Sequence, residues 1–412
     1  MLSRIPIDRV SVPRIPSKIP RGRIREFSLE DGTMPARPLT VLQVVPALHA
    51  GGVERGTVEV AGELTRRGHR SIVLSAGGRM VEQLEREGSE HITCAVGAKS
   101  PFTLRHVGFV RDLLSRGDID VVHAASRIPA WITRLAWRKL PAETRPHFIT
   151  SLHGLHSVSR FSEVMTSGEV VIAVSQTIRN YILENYSTPP ERIRVIHRGV
   201  DPAEFPRNFQ PTAEWLDRFY WEFPRTHGHR LIALPGRISR RKGHDDFARL
   251  IRKLIDAGQP IHGLVVGGEH ARKKRFGEEL RHLVRSMNLD EHITFTGHRT
   301  DMKEIYSVSD LVLSLSSKPE SFGRTVLEAL SLGTRVAGYD HGGVGEILSD
   351  VFSPGLVAAE DETALYERTS QLLAAHAPAV APVTKFQLSK MLDQTVRLYE
   401  ELAGLPEIAR AA

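Results

Sequence analysis

Four cationic side chains stand within six positions near the middle of the chain, with a glycine on either side. The run reads Gly236-Arg237-Ile238-Ser239-Arg240-Arg241-Lys242-Gly243. Arginine offers phosphate oxygens a planar pair of donors, and lysine offers a point charge. A solvated surface is the ordinary explanation of such a run, but these cations lie between a strand-like and a helix-like segment. We therefore predict that they bind a diphosphate, with further donors from the helix N-terminus.

A pair of glutamates forms the second pattern. Glu320 and Glu328 lie eight positions apart, just over two helical turns, and therefore on one face of a helix or its entry. Between them, Gly323 allows backbone N–H groups to approach a ligand closely. Because carboxylates accept hydrogen bonds from paired hydroxyls, the two side chains could hold a sugar and a ribose. The competing interpretation is a helix-terminal acid and a solvated glutamate.

Two weaker signals lie in the first half of the chain. The pair Gly51-Gly52 suits an anion at a helix N-terminus, and equally a plain tight turn. His153 could donate to a sugar hydroxyl or a phosphate, and His156 gives it the spacing of a zinc pair, but no nearby cysteine or carboxylate completes a ligand set. We therefore expect no metal. Neither a dinucleotide fingerprint nor a P-loop lysine is present, which argues against NAD enzymes and P-loop kinases.

The elements that must position these residues alternate regularly from residue 39 onward. Short apolar runs are followed by amphipathic segments, which is typical of βαβ units on parallel sheets. Ligands in such sheets bind beyond the carboxyl ends of the strands, where the motifs lie. A third strand–glycine–helix turn follows at residues 340–346. We predict strands at 39–45, 71–75, 119–123, 148–152, 170–174, 230–234, 261–266, 292–295, 311–315 and 335–339, and helices at 52–67, 245–257, 276–288, 324–332 and 387–403.

The alternation is interrupted at residues 202–229, which hold four prolines and seven aromatic side chains. We expect these aromatics to pack between domains rather than to bind a ligand. The predicted fold class is therefore α/β, with two doubly wound parallel-sheet domains facing a cleft. The predicted divisions are a disordered basic leader at 1–38, an N-terminal domain at 39–200, a linker at 201–229, a C-terminal domain at 230–384, and a helix at 385–412 that returns to the N-terminal domain.

Composition narrows the class of protein. Of 412 residues, 41% are hydrophobic and 25% charged, as in soluble globular proteins. No apolar run approaches the roughly 20 residues of a membrane-spanning helix. The single cysteine, Cys94, suits core packing in a reducing compartment. The net charge of +7 favours acidic partners such as nucleotides, nucleic acid or a membrane surface.

The leader, residues 1–38, carries seven basic side chains between Arg4 and Arg25 and has no apolar stretch of the kind found in secretory signals. One interpretation is a basic arm for anionic lipid. The interpretation we favour is a flexible leader, or a natural start at Met34.

The motifs together resemble glycosyltransferase family 4, whose members are retaining enzymes of the GT-B fold with two Rossmann-like domains. The resemblance covers roughly residues 39–403. Its most specific part is the Glu-x7-Glu motif from Glu320 to Glu328. Further matches are Gly236-Arg237 with Lys242-Gly243, Gly51-Gly52, His153-Gly154, residues 173–175 and residues 199–201.

The resemblance implies a role for each residue. Arg237 and Lys242 would neutralise the donor diphosphate, which is also the leaving group. Glu320 and His153 would contact the donor sugar, and Glu328 the ribose. Other contacts to the nucleotide-sugar or the acceptor would come from Gly51, Gly52, Gly236, Ser321, Phe322, Gly323 and Leu327.

The implied function is retaining transfer of a hexose or N-acetylhexosamine from a UDP- or GDP-sugar to a glycan or lipid-linked acceptor, such as lipopolysaccharide core or another cell-surface polysaccharide. Because side chains already supply positive charge, we expect neither a metal nor another cofactor. We expect a cytoplasmic protein without a nucleic-acid partner, peripherally associated with the anionic inner membrane.

Two departures from the family pattern stand out. Arg198 occupies a position where the family commonly has asparagine, which puts interdomain contacts in doubt, and Thr334 occupies a common proline position. The alternatives are a sugar phosphorylase or nucleotide-sugar epimerase of the same architecture, and a non-enzymatic nucleic-acid or membrane-binding module. Donor consumption with and without acceptor separates the enzymes, and truncation at Met34 tests the module.

Overall fold

A computed structural model describes residues 37–49, 51–269 and 275–404 of the chain. The leader predicted at residues 1–38 lies outside the described residues except for its last two positions. Within the described ranges the chain alternates between strands and helices from its first strand to its last helix.

The strands form two sheets. A seven-stranded sheet has the order β3-β2-β1-β4-β5-β6-β7, and a six-stranded sheet has the order β10-β9-β8-β11-β12-β13. Their bounds are β1 (Thr40–Val44), β2 (Arg70–Ser75), β3 (Glu90–Thr93), β4 (Val121–Ala124), β5 (His147–Leu152), β6 (Val170–Ala173), β7 (Ile193–Val195), β8 (Arg230–Pro235), β9 (Ile261–Val266), β10 (Ile293–Gly297), β11 (Leu311–Ser314), β12 (Val336–Tyr339) and β13 (Leu356–Val357).

The helices follow the strands in a repeating order. Their bounds are α1 (Gly52–Arg66), α2 (Val81–Arg86), α3 (His106–Leu114), α4 (Arg127–Trp137), α5 (Gln176–Asn185), α6 (Ala213–Glu222), α7 (His244–Asp256), α8 (Arg275–Ser286), α9 (Met302–Val308), α10 (Arg324–Leu332), α11 (Gly342–Val351), α12 (Glu362–Leu373) and α13 (Leu388–Leu402). None of these helices is both long and apolar enough to cross a bilayer.

The central strands are apolar on both faces because helices cover both sides of a parallel sheet. Every residue of β1 and of β9 is buried. Strands β8 and β9 run parallel from Arg230 opposite Ile261 to Pro235 opposite Val266. Because parallel strands end at one edge of the sheet, the loops that follow β8, β9 and β11 emerge together. The predicted fold class, two parallel-sheet α/β domains, is confirmed.

The described residues pack into two compact units, the first formed by those before residue 150 together with those from residue 396 onward, and the second by those between 150 and 395. In the first unit, β1, α1 and β2 enclose a small apolar cluster that contains Val45, Val58 and Val73. The end of α13 belongs to this unit. There the Tyr399 hydroxyl oxygen lies 2.7 Å from His123 Nδ1. The division falls inside β5 whereas the first sheet extends to β7, and the domain boundaries proposed from the sequence stay a prediction.

The second unit contains a large apolar core built on the six-stranded sheet. Trp215 and Phe219 from α6 stack with ring centroids 4.9 Å apart and belong to that core, as does Phe205. The prediction that these aromatics pack between domains is wrong for these three side chains. Trp215 and Phe219 lie on the buried face of α6, whereas Trp221 on its outer face is 84% exposed.

The strand predictions were accurate where apolar runs are continuous and failed at short edges. The strand predicted at 261–266 coincides with β9, and the helix predicted at 324–332 coincides with α10. The short edge strands β7 and β13 were not predicted, because they contain only three and two residues. The prediction that Cys94 packs in the core is confirmed, and burial raises the pKa of its thiol to about 11.

Helix α6 offers a paired test of this packing. We expect Phe219→Ala to lower the free energy of unfolding by about 3–5 kcal/mol, because it removes a ring that is 1% exposed. Trp221→Ala on the same helix should change it by no more than about 0.5 kcal/mol. Urea unfolding of both variants measures the difference, and equal costs would show that α6 is not packed as described.

Candidate active site

The second unit contains a cavity of about 1250 Å³ at the carboxyl ends of its strands. The charged side chains that line it are predominantly basic. Six cations face two carboxylates, Glu279 and Glu320, and the cations are Arg237, Arg240, Arg241, Lys242, Arg275 and Lys318. A cavity with this balance attracts a polyanion, since a surplus of one sign focuses the field inside a cleft.

A glycine determines the position of the cationic turn, which is the segment of residues 236–243 after β8. Gly243 has a φ of +70°, and a Cβ at this position would lie 1.9 Å from the carbonyl oxygen of Leu315. Only glycine permits this approach, and the backbone conformation favours glycine as well. Ser317 N donates to the carbonyl of Arg241 at 3.0 Å, which ties the turn to the loop after β11. The turn after β8 and the loop after β11 are therefore held side by side.

The helix that follows the turn adds less positive potential than the sequence suggested. The first turn of α7 carries Asp245 and Asp246, whose charges oppose an anion at the helix N-terminus. His244, the first residue of α7, is 1% exposed, and burial lowers the pKa of its imidazole to about 4. It therefore stays neutral near pH 7. The side chains of the turn, rather than the helix end, supply the cavity's charge.

Lys242 and Glu320 form an ion pair inside the cavity. Lys242 Nζ lies 2.7 Å from Glu320 Oε1, and the Ser316 hydroxyl donates to the same carboxylate oxygen. Burial alone raises the pKa of Glu320, but the charge and hydrogen bond of Lys242, the Ser316 hydrogen bond and the charge of Arg241 together hold it below its usual value. Glu320 is consequently ionised near pH 7. Ser316 was not among the residues predicted from the sequence.

The other cations of the turn differ in their partners. Arg240 pairs with Glu279, which also accepts from Arg275 Nε at 2.9 Å. Among the described residues, Arg237 and Arg241 form no ion pair. Two guanidinium groups therefore line the cavity without a direct ion pair, and the charge of Arg241 acts on Glu320 only at longer range. They are the groups best placed to receive an incoming anion.

The glycine-rich turn at residues 340–346, which follows β12, positions the loop that contains Glu320. Gly343 N donates to the carbonyl of Glu320 at 2.7 Å, and a Cβ on Gly343 would lie 2.3 Å from Phe322 Cα. His341 Nε2 donates to the carbonyl of Ser316 at 2.8 Å. The sequence showed the glycines of residues 340–346 without showing their purpose, which is to let one backbone approach another.

Ser321, which follows Glu320, is held from two directions. Its hydroxyl donates to the carbonyl of His153 at 2.8 Å, and its own carbonyl accepts from the Ser175 hydroxyl at 2.6 Å. Ser175 also caps α5 by accepting from Ile178 N. The Glu320–Ser321 backbone is therefore fixed by segments distant in sequence, a constraint that sequence spacing alone does not show.

His153 lines the cavity, and both of its ring nitrogens contact protein groups. Arg198 lies 3.0 Å from Nδ1, and the Ser151 hydroxyl lies 2.6 Å from Nε2. Because arginine has donors only, Nδ1 must accept, and the proton therefore sits on Nε2 and points to Ser151. The departure from the family pattern at Arg198 thus sets the imidazole tautomer. The predicted sugar contact of His153 stays a prediction.

Glu346 has a structural task that its position in the sequence did not reveal. Its carboxylate accepts from the backbone N atoms of Gln176 and Thr177, at 3.1 and 3.2 Å, at the start of α5. His197 Nε2 lies 2.6 Å from the same carboxylate. Burial raises the pKa of Glu346, but these hydrogen bonds and the His197 contact outweigh it and lower the pKa overall. The side chain caps a helix.

Glu328 lies outside the residues that line the cavity. It is 6% exposed, accepts from Tyr306 Oη at 3.2 Å and pairs with Arg324 Nε at 3.0 Å. Of its predicted neighbours, Phe322 and Leu327 are buried. Its assignment to the ribose stays a prediction.

The remaining predicted glycines stand at turns. Gly236 follows β8 and has a φ of +143°, and Gly323, with a φ of +110°, precedes α10. In the first unit, Gly51 precedes α1 with a φ of +139°, whereas a Cβ added to Gly52 would meet no atom within 4 Å. The conformations of Gly51, Gly236 and Gly323 favour glycine, which explains these three residues without a ligand. Their contacts to donor or acceptor stay a prediction.

The described residues contain no group of three or more histidine, cysteine, aspartate or glutamate side chains able to hold a metal ion. His156, which has the sequence spacing of a zinc pair with His153, accepts a hydrogen bond from Tyr181 Oη through its backbone carbonyl. Metal independence of the reaction stays a prediction.

Known proteins match this chain over most of its length. The sequence-family model described as Glycosyltransferase Family 4 matches residues 50–204. A second family model, described as Glycosyl transferases group 1, matches residues 219–379. A crystal structure of a glycosyltransferase from Rickettsia africae ESF-5 is 28% identical, with a TM-score of 0.77 over 89% of this chain and 98% of its own.

Two further proteins are more distant. N-acetyl-alpha-D-glucosaminyl L-malate synthase from Bacillus anthracis is 24% identical over 80% of this chain and 85% of its own length. HepE from Anabaena, crystallised with UDP-glucose, is 17% identical, with a TM-score of 0.71 over 88% of this chain and 100% of its own. The second likeness concerns the fold alone.

The two parallel α/β sheets and their structural neighbours define the GT-B fold. The chain belongs to the family 4-like glycosyltransferases of that fold. It is therefore an enzyme, and a non-enzymatic binding module is excluded as its class.

The cap provided by Glu346 predicts a pH-dependent loss of stability. We expect Glu346→Gln to lower the free energy of unfolding by about 1–2 kcal/mol at pH 7, because a charged cap at a helix N-terminus is lost. The folded-state pKa of Glu346 is lowered, so its contribution is complete above the ordinary carboxyl pKa and disappears as the pH falls through the folded value.

Urea unfolding of the wild type and the variant from pH 7 to pH 3 measures this effect. The difference between the two proteins should shrink below about pH 4.5. A difference that stayed constant over the whole range would show that the carboxylate charge plays no part in the cap.

Proposed function

We propose that the enzyme transfers a hexose or N-acetylhexosamine from a nucleoside diphosphate sugar to a hydroxyl acceptor with retention of anomeric configuration. The observation that carries this proposal is the contact of 2.7 Å between Lys242 and Glu320 within a predominantly basic cavity. A diphosphate and the sugar attached to it need a cation and a hydroxyl-binding carboxylate as immediate neighbours. This pair supplies both.

The cations would act on the leaving group. As the bond between the anomeric carbon and the diphosphate oxygen breaks, the electron pair stays on that oxygen and the sugar becomes oxocarbenium-like. Preorganised charges aimed at the developing anion lower the barrier. Arg237 and Arg241 carry no competing ion pair among the described residues, so their charge is available for this purpose.

The carboxylate would orient the sugar. Glu320 is ionised near pH 7, because Lys242, Ser316 and Arg241 lower its pKa. Its Oε1 already accepts two hydrogen bonds, while Oε2 retains lone pairs for sugar hydroxyls. Glu320 is held by the Ser316 hydroxyl and by the hydrogen-bonded backbone of Ser321. It is therefore suited to binding a hydroxyl rather than to moving as a nucleophile.

Retention then follows from attack on the face that the diphosphate leaves. The acceptor oxygen bonds to the anomeric carbon, and its proton passes to an oxygen of the departing phosphate. A double displacement needs a carboxylate nucleophile near the anomeric centre. The other carboxylate lining the cavity, Glu279, is occupied by Arg240 and Arg275. This arrangement supports front-face attack.

A nucleotide-sugar donor is supported by the basic cavity and by the UDP-glucose bound to the HepE relative. The base and sugar can be identified by calorimetry with a panel of UDP- and GDP-sugars. The acceptor class, a glycan or lipid-linked glycan, is carried by the family resemblance alone. Donor consumption that depends on acceptor would distinguish transfer from epimerisation.

Removal of the central cation tests the proposal. We expect Lys242→Ala to lower kcat by about 10²–10³-fold, on the scale of single groups that stabilise developing negative charge. The matched control is Lys253→Ala on α7, whose ammonium pairs with Glu362 at 3.1 Å and does not line the cavity. The control should keep wild-type turnover, measured as release of nucleoside diphosphate. Turnover of Lys242→Ala within threefold of wild type would refute the assignment.

A further inference from the structure

Lys318 is a cation of the cavity for which the proposed reaction has no role so far. It lies on the loop after β11, two positions before Glu320, and it is exposed. Among the described residues it forms no ion pair and no side-chain hydrogen bond. A lysine on an outer surface would need no explanation, but this one lines the same cavity as the carboxylate assigned to the sugar.

The loop that carries Lys318 is held on both sides of this residue. On one side, Ser317 N donates to the carbonyl of Arg241 at 3.0 Å. On the other side, Pro319 packs against the turn after β12, where a Cβ on Gly342 would lie 2.9 Å from Pro319 Cβ. The backbone at Lys318 therefore has a defined position beside the cationic turn.

The positive charge of the cavity exceeds what a donor diphosphate neutralises. Its six cations and two carboxylates, counted among the described residues, leave four positive charges. A diphosphate that is esterified at both ends carries about one negative charge on each phosphate, as in a nucleic-acid backbone. Two positive charges therefore stay unmatched when the donor is bound.

The two unmatched charges come from different segments of the cavity wall. One is the net charge of Arg240 and Arg275, which share the carboxylate of Glu279 on α8. The other is Lys318, on the loop that also carries Glu320. Since Glu320 is the residue assigned to the donor sugar, Lys318 is the cation nearest in the chain to the place where the acceptor must attack.

The volume of the cavity leaves room for a second molecule beside the donor. Pockets that bind one small molecule measure about 300–1,000 Å³, whereas this cavity measures about 1250 Å³. Front-face attack brings the acceptor hydroxyl beside the departing diphosphate. That diphosphate would repel an anionic acceptor unless further cations lay there, and the unmatched charge meets this condition.

We propose that the acceptor carries a phosphate monoester and that Lys318 binds this phosphate. The inference rests on the proposed transfer from a nucleoside diphosphate sugar. A phosphate monoester carries about 1.5–2 negative charges near pH 7, close to the unmatched positive charge, whereas a carboxylate carries about one. A donor sugar that carried the phosphate itself would bring it against the ionised carboxylate of Glu320.

The binding test uses the full chain saturated with UDP or GDP, whichever binds in calorimetry, so that the diphosphate site is filled. Glucose 6-phosphate and glycerol 3-phosphate are titrated beside glucose, glycerol and glucuronate. We expect at least one phosphate ester to bind about tenfold or more tightly than its unphosphorylated counterpart, on the scale of one charge-assisted hydrogen bond. Lys318→Gln should remove this preference, and Lys318→Arg should keep it.

The kinetic test assays the same compounds as acceptors, by release of nucleoside diphosphate from the donor. Lys318→Gln should raise KM for a phosphorylated acceptor by about tenfold or more and leave KM for the donor unchanged. The matched control is Lys253→Gln on α7, which removes the same charge outside the cavity and should change neither KM.

Four results would overturn the proposal: equal binding of phosphorylated and unphosphorylated compounds, a preference for glucuronate alone, a preference that persists in Lys318→Gln, or an equal rise of both KM values in that variant. The last result would assign Lys318 to the donor. The calorimetric titrations contain no donor and do not depend on catalysis. Intact phosphate binding without release of nucleoside diphosphate from any donor would therefore count against the proposed function alone.

Discussion

The close approach of the turn after β8 to the loop after β11 is the constraint on which the second unit depends. A parallel sheet brings the two segments to one edge, and Gly243 allows them to touch at the Leu315 carbonyl. The result is a cation and a carboxylate, Lys242 and Glu320, in contact within a basic cavity. Without Lys242 the Glu320 carboxylate would not easily stay ionised there, because burial alone raises its pKa.

The ion pair also explains how the site can stand ready before a donor binds. Glu320 stays ionised beside Lys242 and Ser316, because their hydrogen bonds and the charge of Lys242 lower its pKa. A diphosphate brings negative charge that Lys242 can meet, and its sugar brings hydroxyls that Glu320 can accept from. The exchange replaces one set of charge-assisted hydrogen bonds with another, so the site needs little rearrangement of its backbone.

Sequence reasoning recovered the parts of the protein that depend on local pattern. Continuous apolar runs located β9, and the amphipathic pattern located α10. The cations of the turn and Glu320 were found because each follows such a run. Contacts between remote segments were not accessible in the same way. Glu346 caps α5 across a separation of 169 or 170 positions, and no spacing rule connects the two.

The same limit applies to residues whose role depends on a neighbour's chemistry. Arg198 was noticed only as a departure from a family pattern, yet it sets the tautomer of His153 through a contact of 3.0 Å. Ser316 was overlooked because a serine after a strand is unremarkable until a carboxylate oxygen is found beside it. Exposure is equally invisible in the sequence, since Phe102 and Phe219 are the same residue type with opposite surroundings.

A crystal structure of the enzyme with a non-transferable nucleoside diphosphate sugar tests the central claim most directly. The account predicts diphosphate oxygens within hydrogen-bond distance of Lys242 Nζ and the Arg237 guanidinium, with the Glu320 carboxylate at the sugar hydroxyls. A donor bound elsewhere, with the contact between Lys242 and Glu320 intact and the cavity empty, would contradict it.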